Sequence, residues 1–187
     1  MGKVISFEER AVATLRDRLG AAESAKEDLI AFAQGHSGAT AAIHSAVLAL
    51  MEAEGPDDLF RVVTEDWTRI LGIDHVVLTL VADGKGFRVE TGHIGTVEPR
   101  IVDRSIERLE PVTMRSVDCG HPLFGHAARY VRSEALILLP TEAPLPYGLL
   151  LLGQESESSL DNRHGAQLLG FLGASLSAML RRWLKNG

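Results

Sequence analysis

The segments SEALILLP (residues 133–140) and GLLLLG (residues 148–153), followed by the apolar run from Leu168 to Leu180 and the ending RRWL (residues 181–184), decide the fold of this chain. The first two segments are short and rich in Leu and Ile, and a Pro-containing stretch separates them, which predicts two strands joined by a turn. The apolar residues of the third segment recur with helical spacing. The last third of the chain therefore predicts a β-hairpin that leads into a long helix packed on a core.

A second hairpin is predicted further towards the amino terminus. His75–Ala82 is rich in β-branched residues and Leu, and the turn sequence DGKG at residues 83–86 joins it to Phe87–Thr91. Between the hairpins, the sequence predicts a short helix that begins near Pro99, a strand at Val112–Arg115 and an irregular segment at residues 116–133. Short loops between neighbouring strands favour antiparallel pairing, so the chain is predicted to be α+β and not a doubly wound parallel fold.

The first seventy residues are predicted to be helical. Residues 12–33 carry an apolar heptad stripe that includes Leu15, Leu19 and Leu29, and glycines at positions 35 and 38 end it. Two further helices follow, and an aspartate at position 57 or 58 is suited to cap the second of them. We predict a helical extension at residues 1–38 and a domain at residues 39–187. The extension packs against either a second protomer or the chain's own domain.

The composition is that of a globular protein in a reducing compartment. Of 187 residues, 45% are hydrophobic and 24% are charged, and the single cysteine, Cys119, excludes an intramolecular disulfide. The first fifteen residues contain Glu8, Glu9 and Arg10, so no secretory signal is predicted. The apolar segment Leu168–Leu180 is shorter than a membrane span. We therefore expect a soluble cytoplasmic protein without membrane contact, and the net charge of −6 argues against a nucleic acid partner.

Several of these segments together resemble a GAF domain, a small sensory module related to the PAS domain. The resemblance is carried by Leu123-Phe124-Gly125, by the two strands at residues 133–140 and 148–153, and by the ending at residues 168–172 and 181–184. More specifically, the chain resembles an uncharacterised family of bacterial GAF-like proteins, a domain of unknown function with a helical amino-terminal extension. The resemblance implies a central antiparallel sheet, terminal helices on one face, and a small-molecule pocket on the other face.

The irregular segment at residues 116–133 is where a binding pocket is expected. Arg115 is suited to pair with an anionic ligand, and Phe124 is suited to cover an apolar one. A thiol close to histidines also fits a nucleophile or a metal ligand, but the sequence contains no HExxH or CxxC spacing, and a lone cysteine is more often a small buried apolar residue. We therefore predict no catalytic residue and no metal site, and the cofactor is left unknown. The pocket candidates are Arg115, Cys119, His121, Leu123, Phe124 and His75.

The terminal helix is apolar around much of its circumference and contains small residues that permit close packing by another helix. It must be covered by the sheet on one side and by the amino-terminal helix or a second subunit on the other. We predict a homodimer, because closed two-fold pairs are the commonest soluble oligomers. The interface candidates are Leu15, Leu19, Leu29, Leu172, Leu176 and Met179.

The leading functional hypothesis is a non-enzymatic sensory module in which a small-molecule ligand changes the packing of the terminal helices. Because the sequence contains no recognisable output domain, we expect the signal to pass to a separate protein partner. The first alternative is a ligand-free scaffold for protein–protein interaction. The second is an enzyme that uses Cys119.

Overall fold

The structure is a computed structural model that describes residues 16, 20, 23, 24, 26, 37–107, 109–139, 147–157 and 163–184. The chain forms two compact units, Met1–Ala39 and Thr40–Gly187. The described residues of the first unit are helical and exposed. Three of the predicted interface residues, Leu15, Leu19 and Leu29, lie outside the described residues.

The second unit alternates helices and strands in an α+β order. The first element is α1, a helix at residues 37–52, of which residues 40–52 belong to this unit. The following elements are, in chain order, α2 (Pro56–Arg61), a π-helical turn (Val62–Asp66), α3 (Trp67–Leu71), β1 (His75–Ala82), β2 (Lys85–Glu90), β3 (His93–Val97), α4 (Pro99–Ile106), β4 (Val112–Ser116), a 3₁₀ segment (Pro122–Arg129), β5 (Ser133–Leu139), β6 (Tyr147–Gln154) and α5 (Arg163–Leu184).

The described strands form one sheet in the order β3-β2-β1-β6-β5-β4, and every neighbouring pair is antiparallel. Strands β1, β2 and β3 are consecutive in the chain, and so are β4, β5 and β6. The sheet therefore consists of two three-stranded meanders that join along β1 and β6, in the middle of the sheet. The predicted α+β fold with a central antiparallel sheet is confirmed.

Helices α1, α3 and α5 pack on one face of this sheet, which we call the helix-side face. Trp67 on α3 is fully buried there, and its indole N–H donates to the carbonyl of Ala46 on α1 at 3.0 Å. On α5, Leu172 and Leu176 are fully buried in the same core. Neither α5 nor any other described helix combines the length and the apolar character needed to cross a membrane.

The opposite face, which we call the loop-side face, is covered by α4 and the 3₁₀ segment. These elements and the sheet bury a second apolar core, separate from the first, because alternate residues of a strand point to opposite faces. This loop-side core consists of Val77, Val81, Val102, Leu123, Phe124, Ala128, Val131, Leu136, Leu149 and Leu151.

Two local features differ from the sequence prediction. Strand β3 was not predicted, because its sequence HIGTV lies at the sheet edge with almost all side chains exposed, and so it lacks the apolar alternation of a half-buried strand. The prediction that an aspartate caps α2 is wrong. Gly55 is the N-cap, no side chain caps the helix, and Asp58 accepts a hydrogen bond from the N–H of Glu54 at 3.1 Å.

Candidate functional site

Two predicted pocket residues, Arg115 and His75, lie in one row across the loop-side face. Arg115 on β4 is directly opposite Glu134 on β5. Glu134 is opposite Gly153 on β6, which is in turn opposite His75 on β1. Glu134 is two positions before Leu136, a member of the loop-side core, and directly opposed residues share a face. The row therefore crosses four strands at one end of the sheet, beneath the irregular segment.

Glu134 is the charged centre of this row, and its side chain is 0% exposed. Its Oε1 accepts hydrogen bonds from Arg115, at 2.7 Å from Nε and 2.6 Å from Nη2. Its Oε2 accepts the backbone N–H of His121 at 2.6 Å. A buried carboxylate is costly unless donors compensate it, and here the chain supplies them. Arg115 thus pairs with an internal anion, and its contact with a ligand stays a prediction.

His121 links the irregular segment to α4. Its Nδ1 accepts the N–H of Leu123 at 3.2 Å and so caps the 3₁₀ segment. A neutral ring that accepts at Nδ1 carries its proton on Nε2. Here Nε2 donates to Ser105 Oγ at 3.1 Å. The Ser105 hydroxyl in turn donates to the carbonyl of Ile101 at 2.7 Å. Burial lowers the pKa of His121; nearby Glu134 opposes this effect and Arg115 adds to it. The ring is therefore a neutral structural link.

Leu123 and Phe124 fill the space above the row with the chain's own side chains. Both are buried, and Phe124 is 0% exposed. A Cβ placed on Gly153 would lie 3.0 Å from Phe124 Cε1 and 2.9 Å from Val131 Cγ2, so these side chains pack directly on the bare backbone of β6. This part of the loop-side face is closed by apolar packing in the described chain.

Arg88 on β2 holds the 3₁₀ segment in place. Its Nε donates to the carbonyl of Leu123 at 2.7 Å, and its Nη2 donates to the carbonyl of Phe124 at 2.9 Å. The next residue, Gly125, has a φ of 61° and a ψ of −126°, a combination that favours glycine. A Cβ at this position would also lie 2.9 Å from Arg88 Nη2. The turn that positions Phe124 therefore depends on both Arg88 and Gly125.

The two remaining pocket candidates lie apart from this packing. Cys119 is exposed, and its thiol donates to the carbonyl of Ala128 at 3.5 Å. Within the described ranges, no imidazole or carboxylate is hydrogen-bonded to that thiol. His75 lies at the far end of the row, with Nε2 at 3.1 Å from Glu155 Oε1. The described residues also contain no group of three or more His, Cys, Asp or Glu side chains placed to hold a metal ion.

A family model described as "Protein of unknown function, DUF484" matches residues 1–185 of the chain. The chain belongs to the DUF484 family. No protein of curated function matches it in sequence. The predicted membership of an uncharacterised GAF-like family is confirmed by this match together with the solved structures that share the fold.

Solved structures similar to this DUF484 chain include GAF domains. The GAF domain of a phosphoenolpyruvate-protein phosphotransferase from Coxiella burnetii is 12% identical, with a TM-score of 0.57 over 81% of this chain and 98% of that one. The GAF domain of a sensor histidine kinase from Pseudomonas syringae pv. tomato is 14% identical, with a TM-score of 0.53 over 84% and 96%. The chromophore-binding domain of a bacteriophytochrome from R. palustris is 11% identical, with a TM-score of 0.56 over 78% and 62%. At these identities the likeness establishes the fold.

Sequence reasoning missed the two residues that organise the site of this DUF484 chain. In the sequence, Glu134 belongs to an apolar strand segment, and no motif includes Arg88. A usable signal existed for Glu134, because a charged residue inside the run SEALILL needs a partner if the strand is buried on both faces. Arg88 has no such local signal, because its partners Leu123 and Phe124 lie 35 and 36 positions further along the chain.

The predicted interface residues of α5 lie in the core of the same DUF484 chain. Leu172 and Leu176 are 0% exposed and Met179 is 8% exposed. The outward side of α5 instead presents Phe171, which is 50% exposed. On α5, Phe171 is therefore available for contact with a second subunit. The predicted interface residues Leu172, Leu176 and Met179 already pack in the core of their own chain.

Proposed function

We propose that this DUF484 chain is a non-enzymatic regulatory module that dimerises through helices and responds to a small molecule. The non-enzymatic assignment is supported by the side chains that are chemically capable of catalysis, because each of them already forms hydrogen bonds or ion pairs within the chain. Glu134 and Arg115 neutralise each other, and His121 caps the 3₁₀ segment. Cys119 has a carbonyl as its hydrogen-bond partner where a nucleophile needs a base. A cytoplasmic location stays a prediction from the single cysteine.

The observation that carries the proposal is the exposed apolar surface of the helices. Leu48 and Met51 on α1 are 60% and 61% exposed, and Phe171 on α5 is 50% exposed. Leu48 and Met51 are three residues apart and so share one side of α1. Large apolar side chains that a single chain leaves exposed on helices are suited to helix-to-helix association. The heptad residues Leu15, Leu19 and Leu29 remain proposed contributors to the same dimer.

A ligand regulates such a dimer only through its different affinity for two helix arrangements. A nearly complete switch between two states needs a difference of about 5.5 kcal/mol. The altered helix surface then binds a separate protein partner, which supplies the output. A ligand that binds tightly yet changes neither the dimer nor partner binding would contradict this part of the proposal.

A second candidate, a ligand-free interaction scaffold, is favoured by the closed packing above the Arg115–Glu134 row. Leu123 and Phe124 occupy the region where the sequence predicts a pocket. If that face never opens, no ligand enters beneath Leu123 and Phe124, and the domain serves only to present its helices. The two candidates differ in whether a small molecule is bound.

Native mass spectrometry of the full chain purified from its own host separates these candidates. We expect a dimer with a non-covalent mass excess that is lost under denaturing conditions, whereas a clean dimer favours the scaffold. Phe171→Glu is expected to give monomers. Ile94→Glu is the matched control, because Ile94 is 53% exposed but lies on edge strand β3. A monomeric unmodified chain would refute helix-mediated dimerisation.

A further inference from the structure

A groove of about 410 Å³ lies between α5 and the edge of the sheet formed by β4 and β5. Pro111, Val112 and Ile137 form its apolar wall, and Gly170 and Ala174 line it from α5. Its volume is within the range of roughly 300–1,000 Å³ that small-molecule sites occupy. The groove is on the helix-side face, on the other side of the sheet from the Arg115–Glu134 row.

The groove is open because of the residues that one side of α5 presents to it. Gly170, Ala174, Ser177 and Arg181 follow each other at steps of four, three and four residues, so they lie in one line along the helix. The small residues occupy one end of this line and Arg181 the other. At 1.5 Å per residue, the line is about 16 Å long. It therefore offers an apolar trough with a single charged end.

Ser177 is the first polar group that points to a ligand. The residue is 4% exposed and lines the groove, yet its Oγ has no hydrogen-bond partner in the described part of the chain. Ser175, two residues earlier, satisfies its hydroxyl in the usual helical way by donating to the carbonyl of Phe171 at 2.9 Å. A buried hydroxyl without a partner is unfavourable, and a rotation of this side chain towards the groove would let a ligand oxygen satisfy it.

The carbonyl of Leu138 is a second polar group beside the groove, but it is an acceptor and so does not bond to a carboxylate. Leu138 donates its N–H to the carbonyl of Pro111 at 3.0 Å. In an antiparallel pair of this kind the opposite residue normally returns the bond, but proline has no N–H. A Cβ placed on Gly173 would lie 3.8 Å from the Leu138 oxygen, which puts this oxygen beside α5.

Arg181 supplies the charge at the end of the groove. Its side chain is exposed, and no ion pair with Arg181 occurs among the described residues. Ser177 and Arg181 are four residues apart on a helix, so their side chains are neighbours and one carboxylate can contact both.

We propose that this groove binds an amphipathic carboxylate. The carboxylate pairs with Arg181 and accepts a hydrogen bond from the Ser177 hydroxyl, and the apolar body lies along Ala174 and Gly170 against Val112 and Ile137. This inference deepens the proposed function, because it names the ligand class of the regulatory module and places the ligand against α5. A molecule bound there contacts a helix that also presents the exposed Phe171.

Titration calorimetry of the full chain with decanoate and with 1-decanol tests the site. We expect decanoate to bind about tenfold or more tightly than 1-decanol, because only decanoate forms charge-assisted hydrogen bonds with Arg181. Arg181→Gln is expected to remove this preference. Arg182→Gln, the neighbouring arginine that does not line the groove, is the matched control and is expected to retain it.

Two further variants test the location of binding. Ala174→Leu is expected to fill the groove and abolish binding of both compounds. Ala178→Leu makes the same change at another exposed residue of α5 that does not line the groove, and is expected to bind as the unmodified chain does. Absence of decanoate binding to the unmodified chain, or equal binding by Ala174→Leu, would overturn the inference. If Ala174→Leu alters only the oligomeric state, the groove belongs to a subunit contact and the inference is also wrong.

These outcomes separate the site from the function. A dimer with no affinity for decanoate refutes the groove as a carboxylate site and leaves the regulatory module standing. Decanoate binding by a chain that is monomeric refutes helix-mediated dimerisation and leaves the groove standing.

Discussion

Replacing Arg115 by Met tests the central electrostatic claim of the loop-side face. The change leaves Glu134, whose side chain is 0% exposed, with the N–H of His121 as its remaining donor. Replacing Glu134 by Gln is the milder change, because glutamine keeps an oxygen for His121 and leaves Arg115, which is 47% exposed, free to reach water. The two substitutions break the same ion pair, yet we expect very different costs.

The expected cost follows from the burial of each partner. Breaking a buried ion pair costs roughly 3–5 kcal/mol when it leaves an uncompensated charge. The partial exposure of Arg115 means that water already screens the pair, so we expect about 2–3 kcal/mol for Arg115→Met. For Glu134→Gln we expect about 1 kcal/mol, the value of an ordinary hydrogen bond. In a domain of this size, the first substitution lowers the melting temperature by about 5–10 °C.

Urea unfolding followed by circular dichroism measures these differences. The matched control is Arg61→Met, because Arg61 is 48% exposed but pairs with the partly exposed Asp58 and Asp66. We expect its midpoint to shift much less than that of Arg115→Met. The double variant Arg115→Met/Glu134→Gln should resemble Glu134→Gln alone, since the buried charge is then absent. The reasoning is refuted if Arg115→Met costs no more than Glu134→Gln, or if the two costs simply add.

Three other substitutions test the packing around this centre, and a fourth, in α5, serves as a comparison. Burial lowers the pKa of His121 below its usual value of 6.5, so on acidification the unfolded chain takes up a proton before the folded chain does. Stability should be full above pH 6.5 and decrease as the pH falls below that value, and His121→Gln should flatten this decrease in the urea midpoint. Gly125→Ala introduces a side chain at a φ of 61° next to Arg88 and should destabilise the domain by about 1–3 kcal/mol. Gly170→Ala in α5 makes only an ordinary contact at 3.7 Å and should stabilise the domain by about 0.5–1 kcal/mol. Thermal unfolding shows whether each variant is less or more stable than the unmodified chain. Phe124→Ala empties the space above β6 and should cost about 3–5 kcal/mol by urea unfolding, and a cost below 1 kcal/mol would mean that Phe124 does not close that face.

The parts of the fold that the sequence predicts are those with local signals. The turn at residues 83–86, the apolar runs of β5 and β6 and the spacing of α5 each reveal an element within a short window. Strand β3 has no such signal, because an exposed edge strand buries no apolar side. Its presence depends on hydrogen bonds to β2, which are visible only in the assembled sheet.

The sequence indicates where the irregular segment lies but not which residues it contacts. The irregular segment after Arg115 does lie over one end of the sheet, as expected. The partner of Arg115 depends on the register of β4 against β5 across a separation of 19 residues that includes the 3₁₀ segment. Burial of Leu172 and Leu176 in their own chain likewise depends on how α5 is rotated against the sheet, and helical spacing alone does not fix that rotation.

The two meanders of the sheet have a consequence for the order of folding. Within each meander, neighbouring strands follow each other in the chain, so their contacts form after short searches. The junction between β1 and β6 joins residues such as Thr79 and Leu149, which are 70 positions apart. Closing so long a loop has a large entropic cost before the contacts compensate it. We therefore expect the rate of folding to depend on substitutions along this junction more than on equally buried positions in either outer hairpin.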